Sequence, residues 1–352
     1  MSIYLPAEWH PQHAIQLTWP HKDTDWARII EKAHLFYIEL ATIILKFENL
    51  IICVPNETLK NELAQKLAST NFNCSIYICP SNDTWTRDHG PISVRINGQV
   101  QLQDFQFNGW GNKYRSDLDN QITSNLSKQQ AYGSQKRSSI KFVLEGGSVE
   151  SDGEGTLLTT KQCLLNKNRN PGYNENQICN LLTKQLGAKN ILWLEHGDLI
   201  GDDTDAHIDT LARFAPNNLI IYQGCQDPND EHCPGLLAMK NQLSTFKNRL
   251  GKPYTLIELP LPDAIFEDDF TPNIENQRQR LPASYANFLF INGAVLLPIY
   301  KVPQDLQAIS IMKTALPDHE VIPIDCSILI RQYGSLHCIT MQLPVPTPNG
   351  LT

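Results

Sequence analysis

Between Gly201 and Phe214 the chain reads "GDDTDAHIDTLARF", which places four aspartates and a histidine within nine positions before the segment turns apolar. Three chemistries suit that pattern. Oxygen and imidazole ligands could hold a divalent metal, carboxylates could hold an organic cation, or the charges could sit on a solvated loop. If the segment is a strand, side chains two apart share a face. His207 and Asp209 then point together while Ile208 points into packing. Asp203 and Asp205 fall in an approach loop, where Asp202 and Asp205 also read well as plain solvated carboxylates.

Other segments supply partners for that pair. Cys338, in "YGSLHCITMQ", is either a nucleophile or one more buried cysteine behaving as a small hydrophobe. On a strand, its neighbour His337 would point the other way and make a poor base for it. In "NDTWTRDHGP", Trp85, Arg87 and Asp88 lie close, and an Arg87–Asp88 ion pair is the structural alternative to a binding role. Glu145 precedes Gly146 and Gly147 in "LEGGSVESDGEGT", so its carboxylate either closes a turn or faces inward. The glycines permit close backbone approach, but the lysine and spacing of a phosphate loop are missing. HExxH, G-x-S-x-G and dinucleotide fingerprints are also missing.

Bulk properties narrow the classes. The 352 residues are 41% hydrophobic and 19% charged, as expected of a globular chain with a sizeable core. The formal net charge of −8 and the lack of a dense basic patch argue against nucleic acid as a partner. No apolar run approaches the roughly twenty residues of a membrane span, and "MSIYLPAEWHPQH" reads as neither a basic leader nor a signal peptide. Nine cysteines are scattered with no CxxC pair, and the gap in "CQDPNDEHC" (Cys225 to Cys233) is wrong for a common zinc site. A reducing cytoplasm is the expected compartment. The sequence allows a homo-oligomer without specifying one.

The candidate residues need elements to position them. Five segments share one plan, a polar group on or beside a strand followed by a turn and a second strand. They carry Arg87-Asp88, Glu145, His207-Asp209, Asn287 and Cys338. "NG" in "SYANFLFINGAVLLPIY" and "NN" in "DAHIDTLARFAPNNLIIY" are hairpin signals. Helices are expected over Asp25–Glu48, Asn56–Ser69, Asn174–Gly187 and Pro303–Pro317, and a long loop with a short helix over Asn108–Ser139. A quasi-symmetric ring would bury five such modules and bring their polar groups to one axis; a plain mixed α/β sheet is the alternative. No Pro/Gly/Ser-rich linker divides the chain, so residues 1–352 are expected to form a single domain.

Taken in order, "PAEWHPQHAIQLTWP", "WTRDHGP", "EGGSVESDGEGTLLTT" running on to "CLLNKNRNP", "GDDTDAHIDTLARF", "LPASYANFLFINGAVLLP" and "GSLHCITMQLP" resemble agmatine deiminases and their bacterial peptidylarginine-deiminase-like relatives, from about residue 5 to 345. The resemblance implies an α/β fold, a five-fold pseudosymmetric α/β propeller of ββαβ-like modules around a central active site. It implies Cys338 as nucleophile, His207 as general acid/base, Asp88 and Asp209 as guanidinium ligands, and Glu145 orienting the histidine. Trp85 would line the channel, Asp203 would lie near the distal amine of the substrate, and Asn287 would stand beside the site. The chain departs from the family pattern at "RQYGSLHC" and "ITMQ", where a Gly-rich run and "TQQ" are usual.

The implied partner is a small cationic guanidine, and no metal or cofactor is required. Agmatine is the expected substrate; arginine, peptidyl-arginine or another alkylguanidine is the alternative within the same chemistry. A metal-dependent hydrolase built on His207 and the aspartates, and a catalytically dead binding protein, are the alternatives outside it.

Overall fold

The computed structural model describes residues 2–68, 72–267 and 279–346. Their strands form five separate sheets of three or four strands each, and one pairing plan recurs in all five. A leading strand runs antiparallel to the next strand along the hairpin, and that strand runs parallel to a third. The first sheet pairs Ile92–Ile96 with Gln99–Gln106, and Gln99–Gln106 with Lys136–Val143. The second uses Val149–Ser151, Thr156–Thr160 and Asn190–Leu194. Ala212–Ala215, Leu219–Gln223 and Thr255–Leu259 make the third, and Leu289–Ile291, Ala294–Ile299 and Glu320–Asp325 the fourth. In the fifth, the late strand Thr340–Pro344 leads and pairs with Gln12–Thr18, which runs parallel to Asn49–Val54. Both ends of the chain therefore share one sheet.

Local chemistry accounts for the plan. The hairpins turn at residues that tolerate positive φ: Asn97 and Gly98, Asn217 and Asn218, and Gly293. Each parallel pair needs a crossover, and each crossover contains a helix: Ile122–Lys128, Glu175–Leu186, Cys233–Leu243, Gln304–Ala315 and Ile30–Ile44. Glu175–Leu186 shows why such segments are helical. Asn174 and Gln177 form a capping box, Gly187 ends the helix at φ 74°, and Ile178, Leu182 and Leu186 make the buried face at a four-residue spacing.

Two expectations change. Asn108–Ser139 holds the expected short helix, Ile122–Lys128, and is more structured than expected in also holding the start of the strand Lys136–Val143. The second expected helix spans Glu57–Lys66, with Ser69 outside the described residues. Among the described residues no helix is long and apolar enough to cross a membrane.

The polar groups are not on the leading strands. They occupy the short helical turn that enters each one: Thr86–His89, Gly146–Ser148 with Glu145 as its cap, Ile208–Thr210 with His207 as its cap, the turn through Asn287, and the turn through Cys338. The strand premise for His207 and Asp209 therefore fails, although the two side chains do meet at Gly147 and Ile208 does pack into the core. Asp205 and Ala206 adopt positive φ (67° and 61°), which turns the chain before His207 and delays the strand to Ala212.

Candidate active site

Cys338 lies at the wall of a pocket, 7% exposed. Its lining, among the described residues, includes Asp25, Asp83, Asp88, Asp202, Asp203 and Asp209, the aromatics Trp85, Trp110, Tyr114 and Tyr333, and no lysine or arginine. Cys338 Sγ is 3.8 Å from Asp209 Oδ2, 3.4 Å from Asn287 Nδ2 and 3.5 Å from Asn287 Oδ1. Burial, then Asp209 and Asp88, push its thiol well above the ordinary cysteine range. Without a cation in the pocket the neutral thiol is the resting form.

Three polar groups from two modules meet at Gly147, which belongs to a third. A methyl added there would lie 2.7 Å from His207 Nδ1, 2.9 Å from Asp88 Oδ1 and 3.1 Å from Asp209 Oδ2. The second glycine of "EGG" thus leaves room for the cluster. Gly147 N also donates to Asp88 Oδ1 at 3.0 Å, and Trp110 Nε1 donates to Asp88 Oδ2 at 2.9 Å. Burial pushes the Asp88 carboxyl up to about 6, with His207 opposing the shift. His207 Nδ1 is 3.6 Å from Asp88 Oδ1. Burial works against a charge on His207, but Asp88, Cys163 and Glu145 hold its pKa well above the imidazole range. At neutral pH it is an imidazolium, ready to give a proton.

Glu145 stands near His207 as the sequence implied, and Arg169 Nε donates to its Oε1 at 2.8 Å, both side chains fully buried. Cys163 was not foreseen. Glu145, Cys163 and His207 present ligand-type atoms within 4.8 Å of one another, which gives the metal alternative a cluster that the sequence did not reveal. The fixed guanidinium of Arg169 beside Glu145 works against a metal cation at that place.

Other residues are placed as follows. Trp85 packs its ring against Gly334, where a methyl would lie 2.1 Å from it. Asp203 is on the pocket rim and accepts from Tyr114 Oη at 2.7 Å. Asn287 is fully buried and also donates to the Asp209 carbonyl at 3.2 Å. Asp202 closes its own loop, accepting from Thr204 N and Ala206 N. Arg87 does not pair with Asp88; it lies 3.3 Å from Glu8. Cys338 lies on a turn, so strand alternation does not apply to His337; both its ring nitrogens go to carboxylates and neither serves Cys338 as a base. His337 Nδ1 is 2.8 Å from Asp209 Oδ2. Cys225 and Cys233, expected to be reduced, form a disulfide.

Trp110 and His337 were both missed. Trp110 had a signal in "NGWGN", where Gly109, Trp110, Gly111 and Asn112 all take positive φ and swing the indole onto Asp88. Glycines on both sides of a tryptophan mark such an irregular loop.

A thiol, an imidazolium and two carboxylates around an acidic, aromatic pocket suit nucleophilic attack on a flat organic cation. Known proteins resemble the chain over nearly its whole length. Agmatine deiminase of Pseudomonas syringae pv. tomato is 32% identical, the match covering 98% of this chain and 96% of that protein. The solved C. jejuni agmatine deiminase with substrate bound is 37% identical with a TM-score of 0.88, covering 98% of this chain and 97% of that one. An Enterococcus faecalis agmatine deiminase structure is 25% identical with a TM-score of 0.85, covering 97% and 96%. Residues 4–344 match the Porphyromonas-type peptidyl-arginine deiminase family, and with nearly every motif and module inside that span the chain belongs to it.

Proposed function

We propose that this chain is an agmatine deiminase, hydrolysing agmatine to N-carbamoylputrescine and ammonia through a covalent intermediate on Cys338. The observation that carries the reading is the pocket itself: a thiol facing six aspartates and four aromatic rings, with no lysine or arginine among the described lining residues. A guanidinium with a distal amine matches that charge. Free arginine would bring an α-carboxylate into a field of like charge.

Asp88 and Asp209 receive the N–H groups of the planar cation. Asp209 Oδ1 is buried and has no hydrogen-bond partner among the described residues, so it is an open acceptor. The bound cation offsets the two carboxylates and lowers the pKa of Cys338. The thiol gives its proton to solvent as the cation binds, to be regained when the product leaves, and the thiolate adds to the guanidinium carbon, close at hand because the carboxylates fix the plane. His207 passes its proton to one NH₂, the C–N bond breaks, and ammonia leaves an amidino-thioether cation. His207 takes a proton from water as the oxygen adds to the same carbon. The C–S bond breaks with its electron pair returning to sulfur, and the last proton converts ammonia to ammonium. Glu145 orients His207, Trp85 walls the channel, Asn287 steadies the sulfur, and Asp203 with Tyr114 faces the distal amine.

In this reading the five sheets are the blades of a five-fold pseudosymmetric α/β propeller and residues 1–352 form one catalytic domain. The recurring pairing plan and the sheet shared by the two chain ends support it. The enzyme works in the cytoplasm on a small cation and needs no cofactor.

The test is to supply agmatine and arginine separately and measure ammonia and the ureido product. Agmatine is expected to be turned over and arginine to be poor. A folded, reduced protein that releases no ammonia from agmatine sinks the reading.

A further inference from the structure

The segment "PAEWHP" has no part in the chemistry above, yet it delivers Glu8 to the far side of Asp209. His337 lies between them, with Nδ1 2.8 Å from Asp209 Oδ2 and Nε2 2.6 Å from Glu8 Oε2. A neutral imidazole carries one N–H and would meet the second carboxylate with a lone pair. Two contacts this short between carboxylates need two protons.

Glu8 is itself fixed from several directions. Arg87 Nη2 is 3.3 Å from Oε2, Arg213 Nη2 is 3.0 Å from Oε1, and Phe290 N donates to Oε1 at 2.9 Å. Arg213 continues to Glu150 at 2.7 Å. Glu8, Arg87, Glu150, Asp209, Arg213 and His337 are each at most 5% exposed. A chain of charge-assisted contacts thus runs from two buried guanidiniums to a carboxylate in the pocket.

We propose that Glu8 and His337 are positioning residues for substrate binding: Glu8 keeps His337 an imidazolium, and that imidazolium keeps Asp209 ionised and aimed at the guanidinium. The proposal rests on the reading that Asp209 is a guanidinium ligand. Asp209 is fully buried and burial opposes its charge, but the His337 contact, then His207 and Arg213, hold its carboxyl below the ordinary aspartate range. Asp88 and the Cys338 thiol also face this end of the site, and Glu150 faces Arg213. Burial, then Arg213 and Arg87, pull the His337 pKa below the ordinary imidazole value, and the contacts to Glu8 and Asp209 oppose them. Without the Glu8 charge that opposition is weakened and His337 sheds its second proton. Asp209 then loses its counter-charge and takes up a proton at higher pH.

The test is Glu8→Gln, which keeps size and removes charge. At pH 6 to 7, kcat/KM for agmatine should fall roughly 10- to 100-fold, mainly through KM. The acid limb of the kcat/KM profile should move up by about one pH unit, and Glu8→Asp should bring it back. An acid limb that stays in place, or a fall confined to kcat, overturns the proposal. Should Glu8→Gln fail to fold, ¹⁵N-histidine NMR of the unsubstituted protein at pH 8 decides. His207 and His337 should appear as rings protonated on both nitrogens, and fewer than two such rings overturn the assignment. Lack of agmatine turnover by the unsubstituted protein would sink the functional reading alone, since the NMR readout does not depend on it.

Discussion

Two groups of carboxylates meet at Asp209, and they are built on opposite rules. On the pocket side, Asp25, Asp83, Asp88, Asp202 and Asp203 share the cavity with aromatic rings and Cys338, with no basic residue in the described lining. On the other side, Glu8, Glu150 and Asp209 are matched by Arg87, Arg213 and His337 at 2.6 to 3.3 Å. Burial pushes Asp88 up to about 6 and, even beside Arg213, Glu150 up to about 7, whereas Glu8 and Asp209, held by more than one cation, are lowered although they are as deeply buried. A buried anion whose oxygens are all matched is scaffold. One with an oxygen left unpartnered among the described residues, such as Asp209 Oδ1, can take a ligand of opposite charge.

The largest test of that contrast is at the sulfur between the groups. Cys338→Ser should cut turnover by roughly 10⁴-fold or more while agmatine still binds. Calorimetry with the inactive protein checks the second half, and lost binding would mean that the carboxylates alone do not hold the cation. Asp88→Asn comes next, with kcat/KM down roughly 10²- to 10³-fold through both kcat and KM, since it removes a guanidinium acceptor and the anion beside His207. Steady-state kinetics with agmatine at saturating and limiting concentrations separates the two parameters.

A pH series sharpens the comparison further. Unfolded aspartate titrates near 3.9. With folded values near 6, Asp83 and Asp88 bind more protons in the folded state across that window. Their contribution to stability therefore falls as pH rises from about 4 to 6. A bound cation reverses the loss only once they ionise, so agmatine should raise the melting temperature of the Cys338→Ser protein more at pH 7 than at pH 5. An equal or larger rise at pH 5 would contradict the unmatched-carboxylate account.

Smaller effects are expected at the rim. Gly334→Ala pushes a methyl into the Trp85 ring and should raise KM about tenfold, in line with overpacking costs of roughly 1–3 kcal/mol. Asp203→Asn should raise KM only about two- to fivefold, because a charge partly open to water is screened. A larger penalty from Asp203 than from Asp88 would invert the order and place the main binding energy at the distal amine.

Much of this was legible in the residues. Hairpin signals at "NG" and "NN", the capping residues of Glu175–Leu186 and the five repeated polar positions are local features, set by backbone conformations within a few residues of each other. The polar groups were assigned to the correct modules, on or beside a strand, and the structure places them in the turns that enter the strands. Positive φ at Asp205 and Ala206 left little trace in letters, neither being glycine. Arg213 did leave one, as a charge inside the apolar run "DTLARFA", which a buried ion pair must explain. His337 was rightly set aside as a base for Cys338, but a two-residue period applied to a turn hid its contacts with Asp209 and Glu8.

By itself the sequence determined which functional groups exist, their order, and the short-range conformations that present them, because caps, turns and periodicity depend on neighbours within a turn of helix or a hairpin. Only the tertiary structure decided that Glu8 meets His337 across 329 positions, that Cys163 lies beside His207, and that Arg87 serves Glu8 and not Asp88. Those pairings are fixed by how five sheets pack, and whether a buried charge is balanced or waiting depends on which partner that packing delivers.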